Sequence, residues 1–352
     1  MTSKPGPGTA PHPAIEIVAT RGVAGQGTVE SCHQVHGVAI TSEGKIEAAF
    51  GNPDLLLFPR SSVKAIQSLP LIETGAAQAH AVTPAELALA CASHLGEPFH
   101  TETVMAWLER IGLDEDALAC GPQDPRRTED LKALMRADMP IGRRHNNCSG
   151  KHAGMLTTAL HMGEALAGYA DRHHPVQRRV FATFAEMMAL PGTDITYGVD
   201  GCSAPNPAMT LRQIATGAAR FAGADAAVLG ADRADACRQM MAAMTLHPEM
   251  VGGTGRLDTD LIRASGGRIL SKTGAEGVYV MYLPEQGLGI ALKALDGAAR
   301  AAEAGVWSVL SELGLLDGQV EQALRPHCRP EIRNWDGLVT GLLMDRREYR
   351  GS

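Results

Sequence analysis

The chain has 352 residues, 45% of them hydrophobic and 20% charged, and no apolar run approaches the roughly 20 residues of a membrane-spanning helix. A formal net charge of -7 without a concentrated Lys/Arg stripe argues against nucleic acid or an anionic membrane surface as the main partner. A globular protein with a sizeable core and a small-molecule partner is what remains.

Residues 1–14 (MTSKPGPGTAPHPA) carry four prolines and no apolar central region, so they read as a flexible leader rather than a secretion signal, which places the protein in the cytoplasm. Strand-like segments follow at Ile15 to Thr20, Val35 to Thr41 and Lys45 to Phe50, the last two across the turn Ser42-Glu43-Gly44. A helical pattern opens near Ser61, and Pro70 should kink or end it. Thr83-Pro84-Ala85-Glu86 supplies a capping residue, a proline at the first helical position and a glutamate placed to close a capping box, predicting a helix to about Ser93. Apolar residues at helical spacing mark Val176 to Ala189 and Ala234 to Thr245. Strands return at Arg268 to Ser271, Gly277 to Leu283 and Leu288 to Leu295, before a late helix over Ala298 to Leu313. With no linker between two cores, the economical reading is an α+β fold in one domain over 15–352. Its antiparallel sheet would come from about 15–50 and 268–352, packed on a helical region from about 60–265.

Ser61-Ser62-Val63-Lys64 puts a lysine about one helical turn from a serine, where a neutral amine can take the hydroxyl proton during nucleophilic attack. Alone, the spacing also fits a solvated helix face. Lys272-Thr273-Gly274 at the end of a sheet strand can face Ser61 across a cleft, and Ser93 in Ala92-Ser93-His94 lies between them in chain order. Serine-acylating penicillin-binding proteins and class A β-lactamases combine a Ser-x-x-Lys, a second serine motif and a Lys-Thr-Gly in this order, although Ala92-Ser93-His94 is not the expected Ser-Asp-Asn. Taken singly, Ser93 could be a helix cap and Lys272 a surface strand lysine. Together, two lysines near one serine would lower each other's proton affinity, with Lys64 as general base and Lys272 and Ser93 as relay partners. The N-terminus of the Ser61 helix would supply an oxyanion donor.

The seven cysteines are odd in number and form no Cys-x-x-Cys pair, so most should be buried free thiols. Cys148, in His145-Asn146-Asn147-Cys148-Ser149-Gly150-Lys151-His152, and Cys202, in Asp200-Gly201-Cys202-Ser203, have neighbours able to hold zinc, or are two loops with buried thiols. Spacing alone puts forward His145 or His152 beside the thiols.

These segments, with Arg21-Gly22, Val29-Glu30-Ser31 and Lys272-Thr273-Gly274-Ala275-Glu276-Gly277, resemble the rhizobial-type L-asparaginases of the asparaginase II family, from about Ile15 to the last thirty residues. The resemblance implies a fold similar to serine β-lactamases and glutaminases and hydrolysis of L-asparagine to L-aspartate and ammonia, in a homodimer. It implies Ser61 as nucleophile with Lys64, Ser93 and Lys272 as a second Ser-Lys pair, and a zinc ion held by Cys148, Lys151 and Cys202 with Asp200 close by. Recognition of a free amino acid adds Arg60 as a partner for its carboxylate, and Glu276 or Asp200 for its ammonium group. The rivals are a glutaminase or β-lactamase-like serine hydrolase, a zinc-dependent hydrolase in which Ser61 only caps a helix, and a non-catalytic amino-acid or metal binder.

Overall fold

The computed structural model describes residues 12–22 and 27–349. Eight strands form one antiparallel sheet: β1 (Ile15–Arg21), β2 (Thr28–Thr41), β3 (Ile46–Phe50), β4 (Leu270–Thr273), β5 (Val278–Leu283), β6 (Leu288–Ala294), β7 (Glu331–Arg333) and β8 (Val339–Asp345). Their order is β7-β8-β1-β2-β6-β5-β4, with β3 also on β2. The fourteen-residue β2 organises the sheet. Its first half pairs with β1, and Gly37 to Ile40 lie between β6 and β3.

The sheet is thus built from both ends of the chain, as the sequence predicts, and the intervening residues are mainly helical. The helices used below are α1 (Lys64–Gln67), α2 (Pro84–Ala90), α3 (Ser149–His161), α4 (Leu211–Gly223), α5 (Leu257–Ser265), α6 (Ala299–Glu312) and α7 (Gly318–Cys328). Both faces of the sheet are covered. Every residue of β5 is buried, because alternate side chains enter two cores: Tyr279, Met281 and Leu283 pack with the α6 and α7 residues Trp307 and Leu324, whereas Val278, Val280 and Tyr282 pack with Ile214 and Phe221 of α4. Gly289 of β6 marks where α4 rests on the strand itself, since an added Cβ would lie 2.2 Å from Ala219 N and 2.3 Å from Ala215 O.

Several boundaries differ from the sequence reading for physical reasons. Residues 1–11 of the expected leader lie outside the described residues, and His12 is hydrogen-bonded to Ala49 and Gly51 at the sheet edge, in place of the leader expected there. The strand expected from Val35 begins at Thr28, extended by pairing with β1. The hairpin β7–β8 had no strand prediction, and its place is fixed by the pairing of β8 with β1. Pro70 lies in the first turn of Leu69–Glu73, after a break at Ser68.

The start of α2 is as predicted: Thr83 Oγ1 accepts from the Glu86 N–H, and Glu86 accepts from the Thr83 N–H at 2.8 Å. Its end comes earlier than Ser93. The carbonyls of Ala90 and Ala92 are taken by Ser68 Oγ and Lys64 Nζ, and the Ser93 N–H donates to Val251 O at 3.0 Å. Side chains from a neighbouring segment replace helical bonding there and turn Ser93 toward Lys64.

Candidate active site

The segment carrying Ser61 is a 3-10 turn, Arg60–Val63, that runs directly into α1. Arg60 has φ of +54°, a left-handed conformation that an arginine adopts only when its surroundings enforce it. Those surroundings are explicit. The Arg60 N–H donates to Asn206 Oδ1 at 3.3 Å, and its guanidinium binds Asp200 at 2.7 Å. Ser62 is buried and donates to Pro59 O at 2.7 Å, while Tyr282 on β5 donates to Ser62 O at 3.0 Å. Gly274 presses on the same turn, and a Cβ there would lie 2.8 Å from Pro59 O. The glycine of Lys272-Thr273-Gly274 thus permits the sheet to touch the Ser61 turn, which leaves Ser61 itself half-buried at the rim.

Lys64 is 1% exposed, and its Nζ donates to Ala92 O at 2.5 Å, Ser93 Oγ at 3.3 Å and Cys148 Sγ at 3.0 Å. The sequence reading aimed this amine at Ser61. Among the described residues no side-chain hydrogen bond joins the two, because the unwound end of α2 and the start of α3 offer Lys64 acceptors on the other side. Lys272 is fully buried, donates to Thr273 O at 2.7 Å and lies 3.9 Å from Asp258 Oδ2. Burial pushes its pKa down to about 7; the Asp258 carboxylate opposes that shift and the Lys64 cation reinforces it. Burial thus draws Lys272 toward its neutral form.

The loop after Ser93 is tied on every side. His94 Nδ1 accepts the Gly96 N–H at 3.1 Å, so its proton sits on Nε2 and is donated to Ser149 Oγ at 2.9 Å. Desolvation keeps His94 neutral by holding its pKa well below the ordinary value. Glu97 then accepts from Arg127 at 2.6 Å and from the Thr254 N–H at 2.9 Å.

Cys148 and Lys151 enter from the start of α3, and Cys202 from the loop before Pro205–Pro207. All three are buried, and Lys151 Nζ stands 3.0 Å from Cys202 Sγ. A hydrogen bond to Cys202 and burial push the Cys148 thiol up, while the same bond, with help from Lys151, draws the Cys202 thiol down against burial. Burial disfavours the Lys151 cation, but the adjacent sulfurs outweigh it and raise its proton affinity.

No group of three or more His, Cys, Asp or Glu side chains placed to hold a metal occurs among the described residues. Two sulfurs and one nitrogen nevertheless converge here, a donor set that suits zinc once Cys148 and Lys151 release their protons. His145, one alternative from spacing, is committed through Nδ1 to the Gly142 N–H at 3.0 Å. His152, the other, has Nδ1 2.7 Å from the Tyr169 hydroxyl, and its buried Nε2 has no partner among the described residues.

Of the substrate-anchoring residues expected from sequence, Arg60 and Asp200 bind each other, joining rather than separating the carboxylate and ammonium anchors. Glu276 stands exposed on the turn from β4 to β5 with φ of +57°, its carbonyl accepting from Lys293 at 2.8 Å. Sequence reasoning missed Asn206, which holds the Arg60 backbone, and Asp258, which faces Lys272. Neither lies within a motif.

The L-asparaginase II family profile matches residues 20–344, a span that includes the serine-lysine groups and the cysteine cluster. The chain belongs to the L-asparaginase II family. No curated protein matches the chain. Among solved structures, the native form of Mglu is similar at 16% identity and a TM-score of 0.35, covering 81% of this chain and 65% of Mglu, less than two thirds of that protein's length. A proposed beta-lactamase from Bacteroides dorei DSM 17855 is similar at 11% identity and a TM-score of 0.39, covering 74% of this chain and 84% of that one.

Proposed function

We propose that this asparaginase II family member hydrolyses L-asparagine to L-aspartate and ammonia through an acyl-enzyme on Ser61. The observation that carries the reading is the position of Lys64, which contacts Ser93 and Cys148 at once and so joins the serine-lysine groups to the cysteine cluster. In this mechanism Ser61 Oγ attacks the side-chain amide carbon. Lys64 takes the serine proton, and Ser93 with Lys272 relays a proton to the nitrogen, which leaves as ammonia when the C–N bond breaks. Water then attacks the ester and returns the proton to Ser61 as aspartate departs. The Arg60 turn fixes Ser61, and the Ser61 N–H at the start of that turn would donate to the oxyanion.

Cys148, Lys151 and Cys202 would hold the zinc ion, and bound there it would supply positive charge that orients substrate. Arg60 and Asp200 would meet the carboxylate and ammonium of the free amino acid by opening their mutual pair, with Glu276 as a second ammonium partner. The proposal extends to one catalytic domain over 15–352 and a cytoplasmic homodimer. Its partner is the small substrate rather than nucleic acid or membrane, in keeping with the net charge of -7. No helix among the described residues is long and apolar enough to cross a membrane.

The test compares wild type and Ser61→Ala for ammonia release from L-asparagine, with L-glutamine and nitrocefin assayed in parallel. Loss of turnover with asparagine binding retained supports the reading; full activity in the variant sinks it. Preference for glutamine or nitrocefin would reassign the substrate. Activity abolished by metal removal but untouched by Ser61→Ala would point to a zinc hydrolase, and asparagine binding without turnover in wild type to a binding protein.

A further inference from the structure

Asp258 is 1% exposed, in the first turn of α5, and nothing in the mechanism above uses it. A carboxylate removed from water costs several kcal/mol unless it is fully bonded. Asp258 is bonded on both sides of a single residue. Its Oδ2 accepts the Thr273 N–H at 3.1 Å, and its Oδ1 accepts from Ser271 Oγ at 3.3 Å, which in turn accepts from the Tyr279 hydroxyl at 3.0 Å. Between those two anchors lies Lys272, whose Nζ is 3.9 Å from Asp258 Oδ2. The first turn of α5 adds the favourable end of a helix dipole to the carboxylate.

We propose that Asp258 is a positioning residue for the reaction, acting through Lys272: it clamps β4 on either side of the lysine and holds the buried ammonium at a distance short of a closed ion pair. The inference rests on the asparaginase reading for its kinetic consequence alone. A direct ion pair near 2.8 Å would lock the proton on Lys272 and withdraw it from catalysis, whereas removing the carboxylate would leave a buried cation with no counter-charge. The intermediate distance keeps Lys272 able to gain and lose its proton.

The charged or titratable groups that face Lys272 are Asp258 and the adjoining Arg256 from the α5 side, Lys64 from α1, and Cys91 from the end of α2. Asp258 is the carboxylate in that set. Burial, Lys64 and Arg256 all disfavour the cation, so Asp258 is its main support, with a smaller contribution from Cys91.

Asp258→Asn tests this directly, because the amide can still accept the Thr273 N–H while carrying no charge. The full chain, labelled with 15N-lysine, is titrated by NMR, with the Lys272 signal assigned by its loss in Lys272→Arg. The expected result is a Lys272 midpoint lower by at least about one pH unit, a tenfold change in proton affinity, with the acid limb of kcat/KM moving by the same amount and KM for asparagine changing less than twofold. An unchanged midpoint, or a midpoint that moves without the limb, overturns the proposal. Asp258→Glu keeps the charge and displaces the clamp, so it should hold the midpoint within about half a unit yet lower kcat at least tenfold; unchanged kcat overturns the positioning role. The titration needs no turnover. Absence of asparaginase activity in wild type would sink the proposed function while leaving the effect of Asp258 on Lys272 measurable.

Discussion

Lys64 Nζ lies 3.0 Å from Cys148 Sγ, so an amine assigned to acyl transfer touches a sulfur assigned to metal binding. The two halves of the site share a wall, and a change in one is felt in the other. Cys148→Ser should therefore lose zinc and also, at saturating zinc, lower kcat by about tenfold or more. Cys202→Ser should lose zinc with a smaller effect on kcat, since Cys202 bonds Lys151 rather than Lys64. Metal content per chain beside steady-state kinetics checks this; equal kcat in the two variants at saturating zinc would count against the coupling.

The acid limb of activity should belong to Lys272. Its pKa is pushed down to about 7, so its neutral form grows as pH rises through that value, and kcat/KM should rise with it. The sign for stability is the same. The unfolded chain binds this proton up to the ordinary lysine pKa near 10.4, so between about 7 and 10 unfolding takes up a proton and stability rises with pH from this group. A kcat/KM profile flat from pH 6 to 8 would refute the assignment.

Asp200 holds Arg60 at 2.7 Å with the backbone in a left-handed turn, which fixes the residue preceding Ser61. Asp200→Asn removes the charge that both Arg60 and Lys151 face, and we expect KM for asparagine to rise about tenfold or more. A fall in kcat with KM unchanged would show that the pair holds Ser61 and does not meet substrate.

Gly289→Ala probes the fold rather than the chemistry. The added methyl would meet the backbone of α4 at Ala219 and Ala215, which cannot yield as a flexible side chain does. The expected cost is about 1–3 kcal/mol in thermal or denaturant unfolding. Wild-type stability would mean that α4 can lift from β6.

Much of the fold was legible in the sequence because it was written in local signals. The hairpin turns, the apolar runs of β5 and β6, and the Thr83 capping box each declare themselves within a few residues. The site was legible only as a set of types. Lys64 and Cys148 are 84 positions apart, and their contact depends on where α2 unwinds, which is decided by Ser68 and Lys64 taking its carbonyls. The pairing of Arg60 with Asp200 was hidden for the same reason, as was the burial of Asp258 beside Lys272. In the first two cases the deciding partner lies far along the chain, and Asp258 carries no motif of its own.

Because β1 pairs with β8, with Ile17 opposite Asp345, the first strand of the described residues is held by the last. A ribosome releases Ser61, Lys64 and Ser93 long before β4 delivers Lys272 and β8 closes the sheet. A growing chain thus displays Ser61 before the sheet that carries Lys272 is complete. Such distant pairing also makes assembly slow and leaves strand edges open meanwhile. Premature termination near the C-terminus should accordingly yield aggregated rather than merely weakened enzyme.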